Sequence, residues 1–130
     1  MKIWIRTLAV MLVGIASSAI AADSAQLITS DQVIERIESK DADMVVLDVR
    51  TTEEFAAGHV PGARNIPHDQ LPNRLAELAG AKDKEIVVYC RSGRRSEIAL
   101  DTLASHGFKR VRHMDGDMLK WQEEKRPIEK

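Results

Sequence analysis

The sequence predicts an α/β domain, a parallel sheet of about five short strands with helices on both faces. Three observations carry that expectation. Strand-like and helix-like segments alternate along the chain. Two runs, Met44-Val45-Val46-Leu47 and Glu85-Ile86-Val87-Val88-Tyr89, are almost continuously apolar and rich in β-branched residues, as strands buried on both faces are. The length of 130 residues, with 44% apolar and 30% charged, suits one folded domain rather than two or a disordered chain.

The N-terminus reads as a leader rather than as part of the fold. Lys2 and Arg6 precede an apolar run from Leu8 to Ala16, no acid occurs before Asp23, and Ala19-Ile20-Ala21 has the small-x-small cleavage pattern. From Leu8 to Ala22 the stretch is shorter than the ~20 residues of a spanning helix. A signal peptide over 1–21 is therefore expected, cut after Ala21 or Ala22, with no membrane attachment afterwards; an uncleaved anchor is the alternative. Cleavage removes two of the 19 basic residues against 20 acidic ones, so the exported chain is mildly acidic. Such a chain offers no global support for nucleic-acid binding.

The elements follow in order. Gln26-Leu27-Ile28 is a short strand. Thr29 and Gln32 have capping-box spacing, and Val33, Ile34 and Ile37 continue a helix over 30–39. These make an N-terminal unit, 22–40, preceding a core over 41–128. The strand from Met44 ends at Asp48. Thr51 with Glu54 forms a second capping box, opening a helix through Ala57. Gly58-His59-Val60-Pro61-Gly62 is turn chemistry, and Ala63-Arg64-Asn65-Ile66 is a strand stopped by Pro67. Leu71, Leu75 and Leu78 have helical spacing, with Gly80 as the C-cap. The strand from Glu85 runs into Cys90. Ile98, Ala99 and Leu103 mark a helix closed by Gly107. Val111 to Met114 is the last strand, and Asp117 to Glu124 a last helix stopped by Pro127.

The chemistry centres on one thiol. Cys90 is the sole cysteine, which excludes an internal disulfide and any multi-cysteine zinc site. Cys90-Arg91-Ser92-Gly93-Arg94-Arg95-Ser96 joins a buried strand to a helix. Gly93 allows successive N–H groups to turn inward as a nest. Ser92 and Ser96 offer hydroxyls or a cap, and the helix start adds partial positive charge. Arg91, Arg94 and Arg95 add full charges where the helix dipole disfavours cations, an arrangement that expects an anion. Together these would stabilise a thiolate and hold an anionic substrate beside it. The plainer alternatives are solvated arginines and a small buried hydrophobe at a strand end.

These residues resemble the active-site segment of the rhodanese-like sulfurtransferases. Leu47-Asp48-Val49-Arg50, Glu53-Glu54-Phe55, Gly58 to Ala63 and Asn65-Ile66-Pro67 resemble that family's first motif. Gly107-Phe108, Val111 and Gly116…Trp121 resemble its tail. The likeness covers roughly residues 30 to 128. Leader plus one domain is similar to the small periplasmic rhodaneses of the phage-shock-protein-E type, which implies export to a bacterial periplasm. One departure stands out: the family's tail usually has two glycines where this chain has Gly116-Asp117, away from the thiol in sequence.

The resemblance implies that Cys90 takes sulfane sulfur from a thiosulfate-like donor as a persulfide and passes it to cyanide or a thiol. Neither metal nor organic cofactor is implied. Arg91, Ser92, Gly93, Arg94, Arg95 and Ser96 are expected to bind the donor or brace the loop. Asp48 resembles the residue bracing this loop, through one of the arginines; the alternative is a turn residue. Arg50 with Glu54 is expected to form an internal ion pair holding the first turn; a surface pair is the alternative. His59 is read as structural, and His68, His106 and His113 lack metal-ligand spacing. A related phosphatase class has Arg six residues after its cysteine; here Ser96 stands there and Arg95 comes one early, so the loop is one residue short for phosphate. A persulfide carrier and a non-catalytic binding module remain as other readings. Nothing in the pattern sets the oligomeric state.

Overall fold

The computed structural model describes residues 26–130; the expected signal peptide and its cleavage site lie outside them. Five strands, β1 (Leu27–Ile28), β2 (Met44–Asp48), β3 (Arg64–Asn65), β4 (Glu85–Tyr89) and β5 (Val111–Met114), form one sheet in the order β1-β5-β4-β2-β3. Every pairing is parallel. The α-helices are α1 (Ser30–Glu38), α2 (Thr52–Ala57), α3 (Arg94–Ser105) and α4 (Asp117–Glu123).

Side chains alternate across the central strands and sort into two cores. Val45, Leu47, Ile86, Val88 and Cys90 face Ala99 and Leu103 of α3, with Leu71, Leu78 and Phe108. Val46, Val87 and Tyr89 face Val33 of α1 and Met118 and Trp121 of α4. Both faces of β2 and β4 are thus buried, which is why these strands read as unbroken apolar runs. Both expected capping boxes form, at Thr29 with Gln32 and at Thr51 with Glu54.

The leucines after Pro67 do not make an α-helix. They lie on two 3₁₀ segments, Leu71–Asn73 and Leu75–Ala81, and Gly80 sits inside the second rather than capping it. Pro72 has no N–H to give an α-helical bond. Arg74, at φ −124°, leaves helical geometry between the segments, and its guanidinium grips Gln70 and Glu77. Leu71 and Leu78 are buried all the same.

The topology fixes the site. After β2 the chain moves outward to β3; after β4 it moves the other way to β5. Residues leaving the carboxyl ends of these adjacent strands diverge, and the gap between them is where such sheets bind ligands. Asp48 and Tyr89, partners in register, end the two strands together.

Candidate active site

Cys90 follows β4 directly and is 1% exposed. The next residues wrap back over it. The Gly93 N–H donates to Cys90 Sγ at 3.0 Å. Gly93 has φ +119°, and a Cβ there would lie 3.2 Å from Asp117 Oδ2. Only glycine combines that backbone angle with that crowding. Helix α3, twelve residues long, starts at Arg94 immediately behind the sulfur. A donated N–H and a helix start together favour negative charge on sulfur.

The loop cations divide their work. Arg91 and Arg94 are exposed, and neither makes an ion pair among the described residues. Arg95 is committed: its guanidinium meets the Glu54 carboxylate at 2.6 and 3.1 Å, tying α3 to α2. That bond and the adjacent positive charge hold the Glu54 carboxyl down to about 2. Ser92 is exposed on the loop's outer side. Ser96 is fully buried, and its hydroxyl donates to Asp117 Oδ1 at 2.9 Å, so it braces the loop from beneath.

The ion pairs are exchanged relative to the sequence reading. Asp48 does not reach a loop arginine; it binds the Arg50 guanidinium at 2.7 and 3.1 Å and also accepts from the Arg50 N–H. Arg50 in turn donates to the Gly58 carbonyl and leaves Glu54 to Arg95. Spacing of four suggested Arg50–Glu54, but the β-strand end turns Arg50 back over Asp48. The Tyr89 hydroxyl donates to Asp48 Oδ2 at 2.5 Å and accepts from the Val60 N–H. Burial, then the Asp48 charge, pushes the phenol above its ordinary range, so it stays a neutral donor. Burial opposes the Arg50 charge, and the Asp48 bonds outweigh it. This cluster fixes the β2 end and the 58–62 turn beside the thiol. His59 stacks on Phe55 and sets a ring nitrogen 2.9 Å from its carbonyl, a structural place.

Asp117 and His113 were missed as site residues. Asp117, at φ +52°, is 2% exposed, and its Oδ1 accepts from the Cys90 N–H at 2.9 Å. His113 Nε2 lies 2.9 Å from both carboxylate oxygens. Burial works against the Asp117 charge, but His113, the Cys90 N–H and Ser96 hold its pKa below the usual carboxylate range. The bond to Asp117 raises that of His113, against some desolvation. The signal was present in the sequence as an Asp four residues after a histidine. Among the described residues no three His, Cys, Asp or Glu side chains converge as a metal ligand set.

Compared with known proteins, residues 29–124 match the rhodanese-like domain model. A sulfurtransferase of Allochromatium vinosum is 35% identical over 101 residues, covering 78% of this chain and 92% of that protein. The HTH-type transcriptional regulator Rv0324 of Mycobacterium tuberculosis is 38% identical over 112 residues; the match takes in 85% of this chain but 47% of the regulator. Among solved structures, a rhodanese-related protein from Thermoplasma volcanium superposes with a TM-score of 0.70 at 29% identity, covering 80% of this chain and 97% of that one.

Proposed function

The chain belongs to the rhodanese-like domain family, and from that premise we propose that it is a thiosulfate-type sulfurtransferase working through Cys90. The observation that carries the reading is the Cys90 sulfur itself, seated under the Gly93 N–H at the carboxyl end of β4, with Arg91 and Arg94 of the same loop exposed and in no ion pair among the described residues. The thiolate attacks the outer sulfur of a thiosulfate-like donor. The new S–S bond forms as the donor S–S bond breaks, and sulfite leaves with its electron pair. Cys90 then carries a persulfide anion, and the loop N–H groups between Arg91 and Ser96 offer it partial positive charge. An acceptor, cyanide or a thiol, attacks the terminal sulfur and returns the thiolate. Arg91 and Arg94 are the cations left to attract the donor; Arg95 braces. No resident cofactor enters these steps.

The test is direct. Thiosulfate should add the mass of one sulfur atom to the intact protein, and cyanide should then release thiocyanate; Cys90→Ser should do neither. A wild-type protein that never gains the sulfur sinks the proposal. A carrier would load equally well but hand sulfur to a protein thiol faster than to cyanide.

The same proposal includes export to a bacterial periplasm, as a domain of the phage-shock-protein-E type. Its support is the charged, apolar and small-residue sequence of the first 21 positions. Mass analysis of the protein from the periplasmic fraction should find Ala22 or Asp23 at the N-terminus. Recovery only from the cytosol with Met1 retained would refute it.

A further inference from the structure

Asp117 opens α4, and it reaches the thiol's own residue. Its Oδ1 accepts from the Cys90 N–H, the Ser96 hydroxyl and His113 Nε2, each at 2.9 Å. Gly93, whose N–H holds the sulfur, packs on this pair: a Cβ on it would lie 3.2 Å from Asp117 Oδ2 and 3.4 Å from His113 Cε1. A buried carboxylate in this place opposes negative charge on the sulfur unless something cancels it. Among the described residues its one basic partner is His113.

His113 is half-buried and opens on a cavity of about 490 Å³ lined also by Glu97, Leu100 and Asp101, so its proton can exchange with solvent. The charged groups facing it are Asp117 from α4, Glu97 from α3 and Asp115 from the turn after β5, all acidic. With its proton the imidazole makes a neutral pair with Asp117. Without it the carboxylate is uncompensated.

We infer that Asp117 and His113 are a positioning pair for Cys90: Asp117 fixes the backbone of the loop, and protonated His113 cancels the carboxylate so that anionic sulfur is tolerated above it. The inference rests on reading Cys90 as the reactive nucleophile. As pH rises and His113 releases its proton to solvent, anionic sulfur loses this support.

The experiment follows alkylation of Cys90 by uncharged iodoacetamide against pH, by intact mass on the full chain. The chain has one cysteine, so the signal has one source, and no sulfur donor is needed. His113→Gln should react about three- to tenfold more slowly than wild type near about pH 6 and match it near about pH 9. Asp117→Asn keeps an oxygen for the Cys90 N–H but drops the charge, and should react faster than wild type near about pH 9. A purely structural brace would instead slow both variants at every pH. Coupling is reciprocal, so Cys90→Ser should lower the His113 titration read by NMR. Superimposable wild-type and His113→Gln profiles, or an unmoved His113 titration, overturn the inference. The alkylation signature without any sulfur loading would keep the pair and dismiss the sulfurtransferase; loading without the signature would do the reverse.

Discussion

At the scale of single residues, charge partners are set by where strands end, not by spacing along a helix. Arg95 and Glu54 are 26% and 31% exposed, so solvent screens the pair and its net worth is on the order of 1 kcal/mol or less. The sign of its pH dependence follows from Glu54, whose carboxyl falls from 4.5 to about 2 on folding. A depressed carboxylate stabilises above its unfolded value and loses that contribution as pH drops through its folded one. Urea midpoints of wild type and Glu54→Gln should therefore differ near neutrality and converge between about pH 4.5 and about pH 2; a gap independent of pH would contradict the assignment. Cys90 and the basic loop were legible because they are contiguous. The Asp48–Arg50–Tyr89 cluster was legible only in part, because the tyrosine that links it arrives from a different strand. His113 was dismissed for want of a metal partner, when its partner was a carboxylate four residues onward, across the turn from β5 to α4.

Among the elements, α4 shows how a short helix can govern a loop it does not belong to. It starts from two consecutive left-handed residues, Gly116 at φ +76° and Asp117 at φ +52°. A Cβ at Gly116 would stand 2.4 Å from Lys120 Cβ, a contact no side-chain rotation relieves. Gly116→Ala should cost about 2–3 kcal/mol in urea unfolding, from backbone strain and the clash together. It should also change Cys90 alkylation, since Asp117 is carried on the same turn; an unchanged rate would separate α4 from the loop. The strands and α1, α2 and α3 were readable from periodicity and capping boxes, which are local signals. The 71–81 segment was not. Its leucine spacing fits an α-helix, and the outcome fell instead to Pro72 and to the bonds Arg74 makes with Gln70 and Glu77.

For the molecule as a whole, the sheet order holds Cys90 from both sides: its side chain packs in the core under α3, while its N–H is held from α4. Alternation of apolar runs was enough to anticipate the parallel sheet and its two covered faces, but not which loops would meet, because that depends on pairings across the length of the chain. β1 pairs with β5, Leu27 beside His113. The turn at His59 is pinned by Glu129, and the Trp121 indole is held by the Pro127 carbonyl. Those distant closures have a consequence in time. During synthesis β4 and its cysteine emerge well before β5, α4 and Glu129, so the Cys90 N–H has no Asp117 carboxylate to bind until α4 docks. The bond that fixes the backbone of Cys90 is therefore unavailable until the C-terminal segments have been made.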